Sequence, residues 1–302
     1  MMVRLLGLIA WVALAVVLVG FLGALHPALD LLGALRPLAA VLALAVVLAG
    51  AALRAWRAAA MAALALVVAG AGLLPYAVEF PPEARAVPAA ERQVRVVSFN
   101  LYRANPDPAA AAAWLRASGA DVILLQEVAG GNRAVREALA DLYPHQALCE
   151  YWGGGVAVLS RLAEVAHGEK CLWTPSMAWM RVRTGAGELT VASVHLRRPW
   201  PAGQAVQVAQ LGRRLARLER PILIGGDFNA MPWSRAVARL AEATRAERVP
   251  GLRLTFREPW LGLRLPIDHF LADPALEPVR IALGPEMGSD HLPLVADFAL
   301  PQ

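Results

Sequence analysis

The chain opens with three long apolar runs and continues with a region in which short apolar segments alternate with polar ones. The runs cover residues 5–25, 31–53 and 58–76. Each reaches the roughly 20 residues that a helix needs to cross the hydrocarbon core of a bilayer. The pattern predicts three transmembrane helices within residues 1–80. A cleaved signal peptide is the alternative for the first run, but two further apolar runs follow it directly.

Beyond residue 92 the hydrophobic pattern switches between the periods of strands and helices. Apolar β-type segments occupy residues 94–99, 122–126, 156–159, 189–194, 222–226, 267–271 and 294–298. Helical segments occupy residues 108–118, 133–142, 204–220 and 234–246. The mixture predicts an α/β or α+β domain over residues 93–302, which is long enough to bury a core. A spacer at residues 81–92, rich in proline and small residues, would join it to the helices.

Composition separates the same two parts. The whole chain is 58% hydrophobic and 18% charged, whereas a typical soluble domain has about 25% charged residues. Residues 1–80 hold six charged residues, and the rest of the chain holds 25 basic and 22 acidic ones. This distribution excludes a single soluble domain and a wholly membrane-embedded protein. We expect a membrane anchor followed by one globular domain.

The few arginines of the anchor predict its orientation. Arg4 precedes the first span, and Arg54 and Arg57 lie between the second and third, whereas Arg36 alone lies near the opposite side. Arginine is enriched in cytoplasmic loops. We therefore expect a cytoplasmic N-terminus and a multi-pass protein of the cell (inner) membrane, with residues 81–302 outside the cytoplasm.

Polar residues occur repeatedly where a predicted strand begins or ends. They are Asn100, Glu127, His195, Asp227, Asn229, Asp268, His269, Asp290 and His291. Any one of them is compatible with an ordinary turn or cap, but strand ends are also where α/β enzymes build their sites. The set as a whole predicts an active site.

The side chains of this set suit metal-assisted phosphoester hydrolysis. Glu127, Asp290 and Asn100 offer hard oxygen ligands for Mg²⁺ or Mn²⁺. Asp227 and Asn229 are two positions apart, so they point to the same side of an extended chain. Histidines can protonate a leaving oxygen or stabilise phosphate charge near neutral pH. Together with a divalent metal, these groups describe hydrolysis of a phosphoester.

Seven ordered segments resemble a known family. They are SFNLYRANPD (98–107), DVILLQEV (121–128), GGGVAVLSR (153–161), SVHL (193–196), IGGDFNAMPWS (224–234), IDHFL (267–271) and GSDHLPLVADF (288–298). Together they resemble the endonuclease/exonuclease/phosphatase superfamily of metal-dependent phosphoesterases, over essentially all of residues 93–302. The resemblance implies a four-layered α/β/β/α sandwich, here preceded by three transmembrane helices.

The resemblance also implies a metal site. Glu127 would be the principal ligand of Mg²⁺ or Mn²⁺, Asn100 would lie beside it, and Asp290 would complete the site.

The remaining positions would act on the substrate. By resemblance, Asp227 would orient or deprotonate the attacking water, and Asn229 would donate a hydrogen bond to the scissile phosphate. His291, held by a hydrogen bond to Asp268, would contact or polarise the phosphate. His195 would face the phosphate as a donor or general acid.

The sequence departs from the family pattern at two places. Members that act on abasic DNA carry a tyrosine two residues before the glycine of the GV pair, where this chain has Gly153, with Tyr151 and Trp152 nearby. His269 replaces an aromatic residue that often follows the aspartate of its motif, and we interpret it as a structural histidine.

The anchor carries the prediction of the substrate. Three spans followed by a phosphoesterase domain resemble a bacterial membrane-bound branch of the superfamily, of which some members are linked to glycopeptide resistance and act on a polyprenyl diphosphate carrier. A short tether would hold the active site near the headgroups and raise the effective concentration of a lipid phosphate. The expected partners are the lipid bilayer and a phosphorylated lipid such as undecaprenyl diphosphate.

Two other functions stay open. A sequence pI of about 9.8 favours a membrane-tethered nuclease acting on DNA or RNA, because phosphate backbones attract arginine. However, residues 81–302 carry a formal charge of only +3, so nucleic acid is the less favoured partner. A non-enzymatic membrane binding or sensor module is the second alternative.

Two cysteines, Cys149 and Cys171, are present. Outside the cytoplasm they are able to form a disulfide. The alternative is two separate thiols, and the sequence alone leaves both open.

Overall fold

The computed structural model describes residues 1–77, 92–151, 154–165, 170–172, 176–259 and 262–301. Its first part consists of helices α1 (Met2–Gly20), α2 (Pro27–Gly33), α3 (Arg36–Ala52) and α4 (Trp56–Ala77). The predicted spacer at residues 81–92 lies outside the described residues, except for Arg92.

Two continuous helices among the described residues are long and apolar enough to cross a membrane, not three as predicted. They are Met2–Ala24, in which a short 3₁₀ turn extends α1, and Trp56–Ala77. The predicted middle span is divided into α2 and α3, which are bent by 49° and pass the same test only as a pair. Pro37 explains the break, because it has no amide hydrogen to donate to the carbonyl of Gly33 four residues earlier.

The helices pack through small side chains. Ala10, Ala43, Ala62, Ala65 and Ala69 are fully buried where α1, α3 and α4 meet, while many large apolar side chains of the same helices are exposed. Small residues let helix backbones approach closely, which is how helices associate in lipid. This packing is compatible with membrane anchoring.

The second part contains two six-stranded sheets. The first is formed by β1 (Gln93–Asn100), β2 (Val122–Gln126), β3 (His145–Tyr151), β4 (Gly154–Ser160), β13 (Glu277–Leu283) and β14 (Leu294–Ala299). The second is formed by β5 (Cys171–Leu172), β6 (Met177–Thr184), β7 (Gly187–His195), β8 (Ile222–Asp227), β9 (Glu247–Arg248) and β12 (Asp268–Ala272). A small ribbon consists of β10 (Phe256–Arg257) and β11 (Arg264–Leu265).

Each sheet contains one parallel pair of neighbours, and its other pairs are antiparallel. The first sheet has the order β13-β14-β1-β2-β4-β3, with β1 and β2 parallel. The second has the order β5-β6-β7-β8-β12-β9, with β7 and β8 parallel.

Four helices accompany the sheets, and three apolar clusters join these elements. The helices are α5 (Pro108–Ala117), α6 (Arg133–Glu137), α7 (Gln204–Leu215) and α8 (Arg235–Thr244). One cluster combines the two sheets and includes Leu124 and Phe270. A second combines the second sheet with α7 and α8, and a third combines the first sheet with α5 and α6. The prediction of a mixed α/β domain is confirmed.

Each predicted strand coincides with an observed one, with end points that differ by about two residues at most. The longer strands β3, β6 and β13 and the two-residue strands β5, β9, β10 and β11 were not predicted. The helices predicted at residues 133–142 and 204–220 are shorter in the structure and end at Glu137 and Leu215.

A disulfide joins Cys149 on β3 to Cys171 on β5. These strands lie at the edges of different sheets, so the bond connects the sheets covalently. It is one of the two outcomes that the sequence left open.

Candidate active site

The predicted site residues meet at one end of the two sheets. Asn100 ends β1, Glu127 follows β2, His195 ends β7 and Asp227 ends β8. Because β1 and β2 are parallel, as are β7 and β8, the carboxyl ends of each pair lie at one edge of its sheet. A hydrogen bond of 3.0 Å from Asn100 Nδ2 to Asp227 Oδ2 joins the two sheets at this point.

Gly226 permits the close approach of β7 and β8 beside the site. Its φ of +153°, and a Cβ that would lie 1.9 Å from the Val194 carbonyl oxygen, exclude any other residue without a local shift. The register that results places His195 directly opposite Asp227.

Asp227 lies at the centre of the site and is buried. Its Oδ1 accepts a hydrogen bond of 2.7 Å from the Asn229 amide, and its Oδ2 lies 3.4 Å from His195 Nε2 and 3.7 Å from His291 Nε2. Burial alone would raise the pKa of Asp227, but the charge of His291 and the hydrogen bond with His195 lower it to about 2. The carboxylate is therefore ionised at neutral pH and can orient a water molecule.

His291 and Asp268 form a buried pair. The register of β12 against β8 places Asp268 opposite Asp227, and His291 Nδ1 lies 2.8 Å from Asp268 Oδ2. Burial lowers the pKa of His291, but the carboxylates of Asp268 and Asp227 outweigh it and raise the pKa to about 10. The imidazolium form thus presents Nε2 as a donor.

The predicted metal ligands form an electrostatically unfavourable group. Asp290 Oδ1 is buried and has no hydrogen-bond partner among the described residues. Burial raises the pKa of Asp290, and the nearby charge of Glu127 raises it further. A divalent cation relieves such like-charge repulsion, and hard carboxylate oxygens are the ligands that Mg²⁺ and Mn²⁺ prefer. Glu127 and Asp290 therefore fit such an ion.

Asn100 turns its amide hydrogens, not its oxygen, toward the carboxylates of Glu127 and Asp227. Its Nδ2 lies 3.5 Å from Glu127 Oε1, whereas its Oδ1 accepts a hydrogen bond from the Tyr102 amide at 2.9 Å. In this orientation Asn100 fixes the carboxylates, and a ligand role would require its amide group to be turned over.

A second group with metal-ligand geometry differs from the predicted one. It consists of Asp227, Asp268 and His291, all buried, whose ligand atoms lie within 4.8 Å of one another. The bond between His291 and Asp268 already uses one of these atoms, so the group also has the arrangement of a hydrogen-bonded relay.

Tyr151 is a site residue that the sequence did not assign. Its hydroxyl and His195 Nδ1 are 2.9 Å apart. Burial raises the pKa of Tyr151, and the charges of Glu127 and Asp227 raise it further, so the phenol stays neutral and orients the His195 ring. Gly153 and Trp152, where the family pattern was in question, lie outside the described residues.

Two buried glutamines of α7 were also missed. Gln204 Nε2 donates to the carbonyls of Phe228 and Asn229 at 3.1 and 3.2 Å. Gln207 Nε2 donates to the His195 carbonyl at 2.9 Å. Together they hold the loop that carries Asn229 and the end of β7 that carries His195.

His269 does not face the site, in agreement with its interpretation as structural. Its Nε2 lies 2.8 Å from the Ala230 carbonyl oxygen, and its ring packs edge-on against Phe228. Burial lowers the pKa of His269 to about 3, so the ring is neutral and donates to Ala230.

The site opens into a cleft of about 1210 Å³. The predicted residues that line it are Glu127, His195, Asp227, Asn229, Asp290 and His291. Four arginines also border it, namely Arg197, Arg198, Arg257 and Arg264. Arg257 and Arg264 both pair with Glu286, which lines the same cleft. Asp30, Leu31 and Ala34, from α2 and the turn after it, line the same cleft.

Comparison with known sequences supports a phosphoesterase. Residues 97–291 match the model of the Endonuclease/Exonuclease/phosphatase family. No curated protein matches the sequence significantly.

Solved structures share the fold of the sheet region. An endonuclease/exonuclease/phosphatase from Beutenbergia cavernae DSM 12333 is 24% identical and has a TM-score of 0.55, covering 70% of this chain and 72% of that chain. A second, from Bacteroides vulgatus, is 16% identical with a TM-score of 0.57, covering 69% and 99%. Humanized D. rerio TDP2 with 14 mutations is 17% identical with a TM-score of 0.53, covering 68% and 99%.

Proposed function

The chain belongs to the Endonuclease/Exonuclease/phosphatase family of metal-dependent hydrolases that cleave phosphoester bonds, and we propose that its substrate is a phosphorylated membrane lipid, with undecaprenyl diphosphate the leading candidate. One observation carries this proposal. The cleft that holds the catalytic residues is lined on the same surface by Asp30, Leu31 and Ala34 of the helical region. A lipid phosphate would lie where these two regions meet.

Glu127 and Asp290 would hold Mg²⁺ or Mn²⁺, with Asn100 beside them. When bound, the ion would polarise a phosphate oxygen and offset the charge that develops there. Asp290 Oδ1 is buried without a hydrogen-bond partner among the described residues and lies near the charge of Glu127, which supports this assignment. His291 Nε2 lies 4.0 Å from the same oxygen.

The chain's own groups would position water and phosphate. Asp227, ionised and close to both histidines, would orient the attacking water and take its proton. Asn229 would donate a hydrogen bond to the phosphate. The backbone amide of Asn229 already donates to the Asp227 carboxylate. His291, kept protonated by Asp268, would donate to a phosphate oxygen, and His195, oriented by Tyr151, would protonate the leaving oxygen as its bond to phosphorus breaks.

Residues 1–80 would anchor this site, with the bent pair of α2 and α3 as the second of three crossings and residues 81–92 as the spacer to the domain at 93–302. This path puts the turn before α2 and the end of α4 on the same side of the membrane. Contacts support it, because His26 and Tyr76 both approach tryptophans of the sheet region. By the arginine rule that side lies outside the cytoplasm. The three apolar clusters support the four-layered arrangement of the sheets and their helices.

The test is phosphate release from undecaprenyl diphosphate by the full chain in detergent with Mg²⁺. Asp227→Asn should lower kcat by about 10²- to 10⁴-fold, the range for loss of a positioned acid or base, and a chelator should abolish release. Asp273→Asn is the matched control. It removes a buried carboxylate that pairs with Arg220 at 2.8 Å, beside the opposite end of β8, and should leave kcat within about twofold.

Other outcomes would favour the alternatives. Faster cleavage of plasmid DNA than of the lipid would indicate a nuclease. Tight lipid binding without release in Mg²⁺ or Mn²⁺ would indicate a binding or sensor module.

A further inference from the structure

A backbone carbonyl of the helical region is bound by a side chain of the sheet region. Pro37 leaves the Gly33 carbonyl without its helical donor. Trp233 Nε1 donates to this oxygen at 2.8 Å. Unpaired backbone groups are costly near lipid, so this hydrogen bond removes a penalty that the helix break creates.

Asp30 makes a second connection beside the first. Its Oδ1 and Oδ2 accept hydrogen bonds from the Arg235 amide at 2.9 and 3.1 Å. Arg235 is the first residue of α8, where unpaired amides and the helix dipole favour a negative charge. Ser234 caps the same helix through the Val237 amide at 3.3 Å, so α8 has one cap from each region.

The segment that carries these groups is tightly packed. A Cβ at Gly23 would lie 2.8 Å from Asp30 Oδ1, and a Cβ at Gly20 would lie 2.9 Å from the Gly33 Cα. Arg36 is buried and donates to the Gly20 carbonyl at 2.9 Å. The segment is therefore a fixed structure between α1 and α3.

The end of α4 also contacts the sheet region, at Trp233 and Arg248. Tyr76 packs edge-on against Trp233, with ring centroids 5.9 Å apart, and the Arg248 guanidinium lies 5.4 Å from the Tyr76 ring centroid. Contacts from two different helices thus converge on Trp233, five residues after Phe228 and four after the catalytic candidate Asn229.

We propose that Asp30 and Trp233 are positioning residues, which lock the cleft against the helices so that it accepts phosphates carried by apolar chains in the same bilayer. This inference rests on the proposed function. A locked cleft presents its catalytic groups at one height and angle to the headgroups, so the orientation that binding must otherwise find is fixed in advance. A loosely tethered domain would gain local concentration but not orientation.

The experiment compares two substrates of the full chain. Trp233→Phe keeps a ring against Tyr76 but removes the donor, and Asp30→Ala removes both acceptors. In vesicles of phosphatidylglycerol and phosphatidylethanolamine, each change should lower kcat/KM for undecaprenyl diphosphate by about tenfold, mainly through KM, which is the scale of one lost hydrogen bond. Hydrolysis of water-soluble farnesyl diphosphate, which does not depend on the orientation of the cleft to a bilayer, should fall by a clearly smaller factor, about threefold or less.

Matched controls exist within the sheet region. Trp114→Phe alters a half-buried tryptophan of α5 that lies near Gly284. Asp107→Ala removes the cap of α5, which accepts from the Ala110 amide at 2.9 Å. Neither control should change the hydrolysis of one substrate relative to the other. Hydrogen exchange gives a readout without catalysis, because Asp30→Ala should speed exchange at the Arg235 amide and Asp107→Ala at the Ala110 amide.

Each contrary result has a distinct meaning. Equal losses on both substrates would overturn the proposal that Asp30 and Trp233 fix the cleft against the helices. Unchanged lipid hydrolysis with unchanged exchange at the Arg235 amide would overturn it as well. If the unaltered protein hydrolyses farnesyl diphosphate but not the lipid, the proposed function fails, and the inference fails with it.

Discussion

Helices α1, α3 and α4 meet mainly through alanine, with few larger side chains, whereas the two sheets meet mainly through valine, leucine and phenylalanine. In the helical region Ala43 and Ala62 are fully buried, while Leu8 and Leu48 are 61% and 64% exposed. In the sheet region Leu124 is fully buried. The helical region therefore exposes many of its large apolar side chains, whereas the sheet region buries them.

The difference is compatible with lipid around the helices and water around the sheets. Water drives large apolar side chains inward, as in the sheets. Lipid does not, because its tails are as apolar as leucine, and helices then associate through close backbone contact. An extended apolar exterior on a water-soluble bundle would be an interaction surface or an aggregation hazard. The contrast is compatible with membrane anchoring of the helical region, and polar contacts such as that between Asp30 and Arg235 join it to the sheet region.

The largest expected effect comes from a comparison of the same change, leucine to alanine, made once in each region. Leu124→Ala should destabilise the sheet region by about 2–5 kcal/mol, since it removes transfer energy and leaves a cavity. Leu8→Ala, on the exposed face of α1, should change stability by less than about 0.5 kcal/mol. Urea unfolding of the full chain in detergent, followed by tryptophan fluorescence and circular dichroism, measures both. Equal losses would mean that the helices do not face a lipid-like solvent.

An intermediate effect is expected from enlarging a small residue. Ala62→Leu places a large side chain where α4 meets its neighbours, and overpacking of this kind costs about 1–3 kcal/mol. Ala60→Leu, at an exposed position of the same helix, should cost much less. Thermal melting of helical circular dichroism in detergent compares them. A milder effect at position 62 than at position 60 would contradict the packing of the bundle.

The third effect concerns acid, arises in the sheet region and is the smallest of the three when measured over a single pH unit. The pKa of His269 falls from 6.5 to about 3 on folding, so below pH 6.5 the unfolded chain binds more protons. Stability should therefore fall as the pH drops from about 6.5 toward 3, by up to about 1.4 kcal/mol per pH unit. His269→Gln keeps a donor for Ala230 and should make urea unfolding between pH 7 and 5 less sensitive to pH. Identical pH slopes would show that folding does not lower the pKa of His269.

The sequence predicted the strands that carry a continuous apolar signal. Strand β8 is buried along its whole length, and such strands stand out as apolar runs. Strand β6 has no continuous apolar run, although the alternation of arginines with apolar residues in its second half is the signal of a half-buried strand. Strand β13 is a half-exposed edge strand that contains Pro278, so its signal is weak.

The site was predictable where its residues follow predicted strands, and not where a contact joins distant segments. Asp227 and His195 end neighbouring strands, so their proximity follows from sheet geometry. Tyr151 belongs to the unpredicted β3 and reaches His195 in the other sheet, which no local pattern indicates. Gln204 and Gln207 have the appearance of solvent-facing helix residues, yet both are buried.

Pro37 has a consequence for whether either region could be exchanged without the other. The carbonyl that it leaves free belongs to one region, and the indole of Trp233 that binds this carbonyl belongs to the other. The sheets transplanted onto a different anchor would carry a tryptophan without its acceptor, and the helices alone would carry an exposed carbonyl and the Asp30 carboxylate. An exchange of either region for an unrelated one would therefore leave hydrogen-bonding groups of the other without their partners.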